Sequence, residues 1–133
     1  MTEKALVNYL QALEKKGFKV VSEAAKKHTI IISDGYIPHG HHSESWSYTI
    51  DANRVHILNK ENQRYALIEG IYSFRDTSHS DEEGRFPCIA LLELPNGKAP
   101  NDMSKDEIQK NVKDFRKIVN GKLERKKPWW SSQ

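Results

Sequence analysis

One stretch of the chain, residues 64–75, constrains the fold more than any other. It is the longest run rich in β-branched, aromatic and aliphatic residues. Apolar side chains occupy both of its alternate sets of positions: Ala66, Ile68, Tyr72 and Phe74 on one, Tyr65, Leu67 and Ile71 on the other. A strand that is apolar on both faces is usually covered on both, so we expect it in the middle of a sheet. Residues 86–94 have the same character, and the two runs are predicted to pair.

The segments before this strand predict a helix followed by antiparallel strands. Residues 2–16 carry Leu6, Tyr9, Leu10 and Leu13 at helical spacing and precede Gly17, a helix-stop signal. Short strands are predicted over 18–21, 28–33, 45–50 and 55–58, with turns at 51–54 and 59–63. Residues 36–44 are predicted to form a loop because Pro38 and Gly40 interrupt them. The polar residues 76–85 are expected to form an exposed connection.

A second helix is predicted near the C-terminus. Ser104 and Glu107 have the spacing of a capping box, and the apolar residues that follow recur at helical intervals as far as Val119, before Gly121. The fold class predicted is therefore α+β: a five- to six-stranded, mainly antiparallel sheet with an N-terminal and a C-terminal helix packed on it. We assign residues 1–121 to this single domain and residues 122–133 to a basic, tryptophan-containing tail.

The composition is that of a single soluble domain. The chain has 133 residues, of which 37% are hydrophobic and 29% charged. Its one cysteine, Cys88, lies in an apolar strand, where we expect a small buried hydrophobe rather than a nucleophile. The N-terminal residues lack the pattern of a signal peptide, and no apolar run is long enough to span a bilayer. We therefore expect a cytoplasmic protein without a membrane partner.

Positive charge is concentrated near the C-terminus. Residues 104–127 contain nine cations and four acids, a net charge of +5, whereas the whole chain carries only +3. Lysines and arginines can neutralise phosphates, and tryptophans can stack on bases. The predicted nucleic-acid-binding residues are Lys110, Lys113, Arg116, Lys117, Lys122, Arg125, Lys126, Lys127, Trp129 and Trp130. The alternative is a solvated helix face followed by a tail whose tryptophans fold back onto the domain.

A histidine-rich loop is a weaker candidate site. His39, His41 and His42 are close enough in sequence to share a divalent metal, with Asp34 or Glu44 as an oxygen ligand. Their spacing matches no zinc pattern, so we interpret the segment as a solvated turn and predict neither a metal nor a cofactor.

Three classes of function are compatible with these features. The preferred class is a small non-enzymatic factor that binds nucleic acid or a nucleic-acid-processing complex through the basic C-terminal helix and tail. The second is a protein-interaction module, such as an inhibitor, immunity protein or accessory subunit, that uses the acidic loop and the tryptophan tail. The third is a small phosphodiesterase or ribonuclease that uses His28, His56 or His79, assisted by Tyr72 and Arg75.

Overall fold

A computed structural model describes residues 2–24, 27–77 and 82–130 of the chain. Its helices are α1 (Thr2–Lys15) and α2 (Lys105–Asn111), and two short 3-10 turns precede α2. Its strands are β1 (Lys19–Ala24), β2 (His28–His39), β3 (His42–Lys60), β4 (Gln63–Asp76), β5 (Glu82–Leu94), β6 (Val112–Val119) and β7 (Lys122–Arg125). Neither helix of the described ranges combines the length and the apolar character needed to cross a membrane.

The predicted central strand is confirmed. β4 pairs with β3 on one side and with β5 on the other, and all of these pairings are antiparallel. Its alternate positions enter different apolar clusters, with Ile68 in one and Leu67 in the other. Residues 64–75 and 86–94 are paired as expected, with Leu67 opposite Leu91. Within the residues described, the sheet has seven strands, which is more than predicted, and it curls into a half-barrel.

The long strand β3 connects the two parts of the curled sheet. Its first half pairs with β2 and its second half with β1, along the edge that does not face β4. The predicted turn at 51–54 is wrong, because the strand continues through a β-bulge between Ala52 and Arg54. A bulge adds one residue and bends the strand more sharply. Opposite this bend lies Gly70, where an added Cβ would collide with the backbone carbonyl of Asp51.

The predicted loop at 36–44 is also wrong. β2 extends to His39 and β3 begins at His42, so Gly40 and His41 form a tight hairpin turn. Pro38 is tolerated because β2 pairs with β3 on one side only and its other edge needs no ladder hydrogen bond there.

The two faces of the sheet carry separate apolar clusters. The larger one lies on what we call the inner face; it contains Ile32 and Phe115 and also includes Ile108 of α2. The smaller one lies on the outer face, where Leu6 and Leu13 of α1 join Leu67. α1 ends before Gly17, whose φ is +98°, as the sequence predicted.

Helix α2 contacts the outer edge of β2. The side-chain amide of Gln109 donates to the carbonyl oxygen of Ile32 at 2.8 Å, and Lys105 Nζ lies 2.6 Å from Asp34 Oδ1. The predicted capping box is present: the Glu107 amide donates to the Ser104 hydroxyl, and the Glu107 carboxylate accepts from the Ser104 amide. The hydrogen bond from the Ser104 amide, and then the one from Lys98, lower the pKa of the Glu107 carboxyl.

The predicted length of the second helix is wrong. α2 stops at Asn111, and residues 112–119 form β6, which pairs with β5. The β-branched and aromatic residues here suit a strand. A bulge at Lys113, opposite the step from Leu91 to Leu92, places both Val112 and Phe115 on the inner face. Because of the bulge, apolar residues three positions apart lie on the same face of the strand, as they would on a helix.

Candidate functional site

Aromatic side chains line one end of the inner face. They come from four adjacent strands, and the register brings them together, with Tyr48 opposite Phe74 and Tyr72 opposite Phe86. The ring centroids of Tyr72 lie 5.1 Å from those of both Phe86 and Phe115, and Tyr48 stacks with Phe74 at 6.1 Å. Such separations are those of favourable aromatic pairs. We call this group the aromatic cleft.

Residues 126–130 cross the cleft as a strap that is fixed at both ends. The Lys126 amide donates to the Phe115 carbonyl at 3.0 Å, which continues the pairing of β7 with β6. At the other end, the Trp130 indole donates to the Tyr72 hydroxyl at 2.9 Å, and only 4% of Trp130 is exposed. Residues 122–130, assigned from the sequence to a tail, thus extend the sheet and then cover its inner face.

A cavity of about 270 Å³ lies between the strap and the aromatic rings. Its lining is formed by Tyr48, Tyr72, Phe74, Phe86, Phe115, Lys126, Lys127, Pro128 and Trp129. Trp129 differs from its neighbour because 55% of it is exposed, and its ring meets Tyr48 edge-on at 5.4 Å. The cavity therefore has an apolar interior, with an exposed indole at its mouth.

Two phenols supply polar groups to the cleft. The Tyr48 hydroxyl donates to Asp76 Oδ2, and Asp76 itself is only 1% exposed. Burial raises the pKa of Tyr72 above its ordinary value of 10.0, so its hydroxyl is neutral at physiological pH and stays neutral into alkaline solution. Hydroxyl groups that stay uncharged can fix the orientation of a ligand without repelling an anion.

Three lysines surround the cleft. Lys126 and Lys127 belong to the cavity lining, and Lys117 Nζ lies 5.0 Å from the centroid of the Phe86 ring. Glu124 compensates part of this charge, because its carboxylate lies 3.3 Å from Lys126 Nζ. Lysine stems commonly cover apolar surface while the ammonium group stays in water.

The remaining predicted cations lie elsewhere. Arg116 and Arg125 occupy the outer face, where Asp114 Oδ2 is 2.9 Å from Arg116 Nε and Asp114 Oδ1 is 3.9 Å from Arg125 Nε. Lys110 is on α2, Lys113 is at the bulge and Lys122 begins β7. The single basic helix flank inferred from the sequence does not exist, because strands send alternate residues to opposite faces.

The histidine-rich segment forms the β2–β3 turn, in which His41 is exposed. The side chains of His39 and His42 lie outside the described part of the molecule. Among the side chains that are described, no group of three or more His, Cys, Asp and Glu residues could hold a metal ion.

The residues considered for phosphodiester chemistry are dispersed. His56 is buried, with Nε2 3.6 Å from Glu23 Oε2, whereas His28 is half-buried at the start of β2. Tyr72 faces the inner side of β4, and Arg75 lies at the alternate parity with its side chain 76% exposed. His79 is outside the described residues. Tyr72 and Arg75 therefore point to different faces.

Sequence reasoning did not identify most of the cleft. The sequence placed Phe74 and Tyr72 on one face of the central strand and Phe86 in the second apolar run, but it assigned neither phenylalanine to a site. The signal was present as aromatic residues at inward positions near the same end of neighbouring strands. Reading it requires the strand register, which the turns and bulges determine.

Comparison of the chain with protein-family models, with curated proteins and with solved structures found no match. The chemistry of the cleft and its surroundings is therefore the basis for inferring a function.

Proposed function

We propose that this protein is a small cytoplasmic, non-enzymatic factor that binds nucleic acid along the strap and the rim of the aromatic cleft. The observation that carries the proposal is the placement of Lys117, Lys126 and Lys127 around an apolar, aromatic cleft. Cations that follow a phosphate backbone, together with aromatic surfaces for bases, are the usual means of binding single strands.

The wider charge distribution supports this interpretation. Lys113 and Lys122 are exposed on the same two strands that lead to the strap, β6 and β7. They can attract a polyanion at longer range, since exposed charges act over roughly 8–10 Å at moderate ionic strength. Arg116 and Arg125 are not included in the proposed surface, because both lie on the outer face of the sheet, away from the cleft.

The experiment uses a pair of variants with the same change in net charge. Lys126→Ala/Lys127→Ala removes two cations from the cleft, and Lys15→Ala/Lys16→Ala removes two exposed cations near the end of α1. Fluorescence anisotropy with labelled single-stranded DNA and RNA is measured across a salt series. We expect log Kd to depend less steeply on log salt for the cleft variant, by about 1.4, because each phosphate contact on a single strand contributes about 0.7.

The control variant should keep the slope of the intact protein. Equal losses in the two variants would indicate attraction by net charge alone and would contradict a defined surface. No binding to either nucleic acid at low salt would overturn the proposal. Removing residues 122–133 is a poorer test, because it would also delete β7.

A protein-interaction function is the second candidate, and one observation favours it. Large apolar side chains are exposed on β1 and β2, the strands along the outer edge of β3: Val20, Val21, Ile31, Tyr36 and Ile37. Exposed apolar groups on neighbouring elements are typical of binding surfaces. If the anisotropy experiment is negative, Tyr36→Ser/Ile37→Ser should weaken the capture of a protein partner, whereas Trp129→Ala should not.

A further inference from the structure

The geometry of the cleft points to a more specific ligand: we propose that the cavity accepts one unstacked base of a single-stranded nucleic acid, with Trp129 as the stacking surface at its mouth. This inference rests on the proposed function and adds the part of the ligand that the cavity recognises.

The size of the cavity selects a small ligand group. Its volume of about 270 Å³ falls just below the roughly 300–1,000 Å³ of pockets that hold drug-sized ligands. The walls are mainly aromatic rings, so a flat ring system can contact them face-on or edge-on. One nucleobase meets these requirements, whereas a large cofactor would not fit.

The two adjacent tryptophans differ in burial. Trp130 is buried against Tyr72 and Phe115 and holds the strap in place. The Trp129 ring lies nearly perpendicular to the Tyr48 ring, and more than half of the residue is exposed beside the cavity. A base stacked on this indole would bury apolar surface that is otherwise in water, while Trp130 keeps the platform in position.

The charges around the mouth favour phosphates on either side of that base. Lys126 and Lys127 belong to the strap itself, and Lys117 lies across the cavity over Phe86. Of the nearby acids, Glu124 is beside Lys126, and Asp76 is buried where it accepts the Tyr48 hydroxyl. A base in a duplex would first have to leave its stack, so we expect single strands to bind more tightly than duplexes.

The test compares three labelled probes of equal length and backbone charge per strand: a deoxythymidine oligomer, an abasic oligomer and the matching duplex. We expect the base-bearing single strand to bind about 5- to 150-fold more tightly than the abasic one, the range that stacking of one base provides. Trp129→Ala should remove most of this ratio and leave the affinity for the abasic oligomer unchanged. Lys127→Ala should weaken binding of both single strands by a similar factor.

The outcomes separate the two proposals. Equal affinity for the base-bearing and abasic strands, or tighter binding of the duplex, would overturn the base-binding inference and leave nucleic-acid binding by the lysines intact. Absence of binding to all three probes at low salt would overturn both. Val7→Ala, which alters an exposed residue of α1, serves as a control, and circular dichroism checks that each variant is folded.

Discussion

A hydrogen bond between the first helix and the sixth strand offers a sharp test of what holds this fold together. The Tyr9 hydroxyl of α1 donates to Asp114 Oδ2 of β6 at 2.6 Å, across 105 positions of sequence. Asp114 is buried, and Arg116 Nε also contacts it, at 2.9 Å. The Arg116 guanidinium lies 5.3 Å from the centre of the Tyr9 ring. Tyr9→Phe removes the hydroxyl and leaves these other contacts in place.

The expected cost follows from this geometry. A hydrogen bond to a charged group contributes about 1.5–3 kcal/mol to the free energy of unfolding, and Asp114 keeps Arg116 as a partner in the variant, so we expect a loss of about 2 kcal/mol. Globular proteins unfold with an entropy of roughly 2.1 cal/mol/K per residue. For this chain of 133 residues, a loss of that size should lower Tm by about 7 °C.

A double-mutant cycle tests the reasoning. Tyr9→Phe, Asp114→Ala and the double variant are unfolded with urea, and the interaction energy is obtained from the three differences in free energy. We expect a coupling of about 1.5–3 kcal/mol. A coupling below about 0.5 kcal/mol would refute the view that this bond fixes α1 to the sheet. Tyr36→Phe is the matched control, because Tyr36 is 67% exposed and should lose almost nothing.

Two further predictions concern the middle of the sheet. Gly70→Ala should destabilise the protein by about 1–3 kcal/mol, because the new Cβ meets the backbone of β3 at its bulge; an unchanged urea midpoint would show that the strands separate there at no cost. Burial, and then the charge of Glu69, raises the pKa of the Cys88 thiol to about 12. Folding therefore favours the neutral thiol. The contribution of Cys88 to the free energy of unfolding is fully present below pH 9, and it falls as the pH rises towards 12, by up to about 1.4 kcal/mol per pH unit. The stability difference between the intact protein and Cys88→Ala should therefore narrow between pH 9 and 10, and a constant difference would contradict this account.

The sequence predicted those parts of the fold whose patterns have one interpretation. Apolar residues on both faces of residues 64–75 indicate a covered strand, and Ser104 with Glu107 indicates a helix start; both are confirmed. Bulges caused two of the errors. The one at Asn53 resembled a turn, and the one at Lys113 made Val112 and Phe115 resemble a helix stripe. A single added residue reverses the faces of a strand, and its position depends on pairing partners that lie far away in sequence.

The candidate site depended on those same pairings. The sequence identified Lys126, Lys127 and Trp129 as residues able to contact nucleic acid, and that role remains a prediction. It could not indicate that Phe86 and Tyr72 would lie opposite one another, because their pairing follows from the register of β4 and β5. Nor could it distinguish Trp129 from Trp130, whose difference in burial arises from the direction in which the strap crosses Tyr48 and Tyr72.

Helix α2 has a consequence for the behaviour of this protein at high concentration. A helix of seven residues is too short to persist in water by itself, so α2 depends on its capping box and on Ile108 in the inner cluster. While α2 is docked, the side-chain amide of Gln109 donates a hydrogen bond to the Ile32 carbonyl oxygen on the outer edge of β2. If α2 detached, three consecutive isoleucines at positions 30–32 would lie on an uncovered strand edge, the kind of segment that templates aggregation. We therefore expect this short helix to limit self-association, and we expect conditions that loosen it to promote fibrous aggregates before the rest of the sheet unfolds.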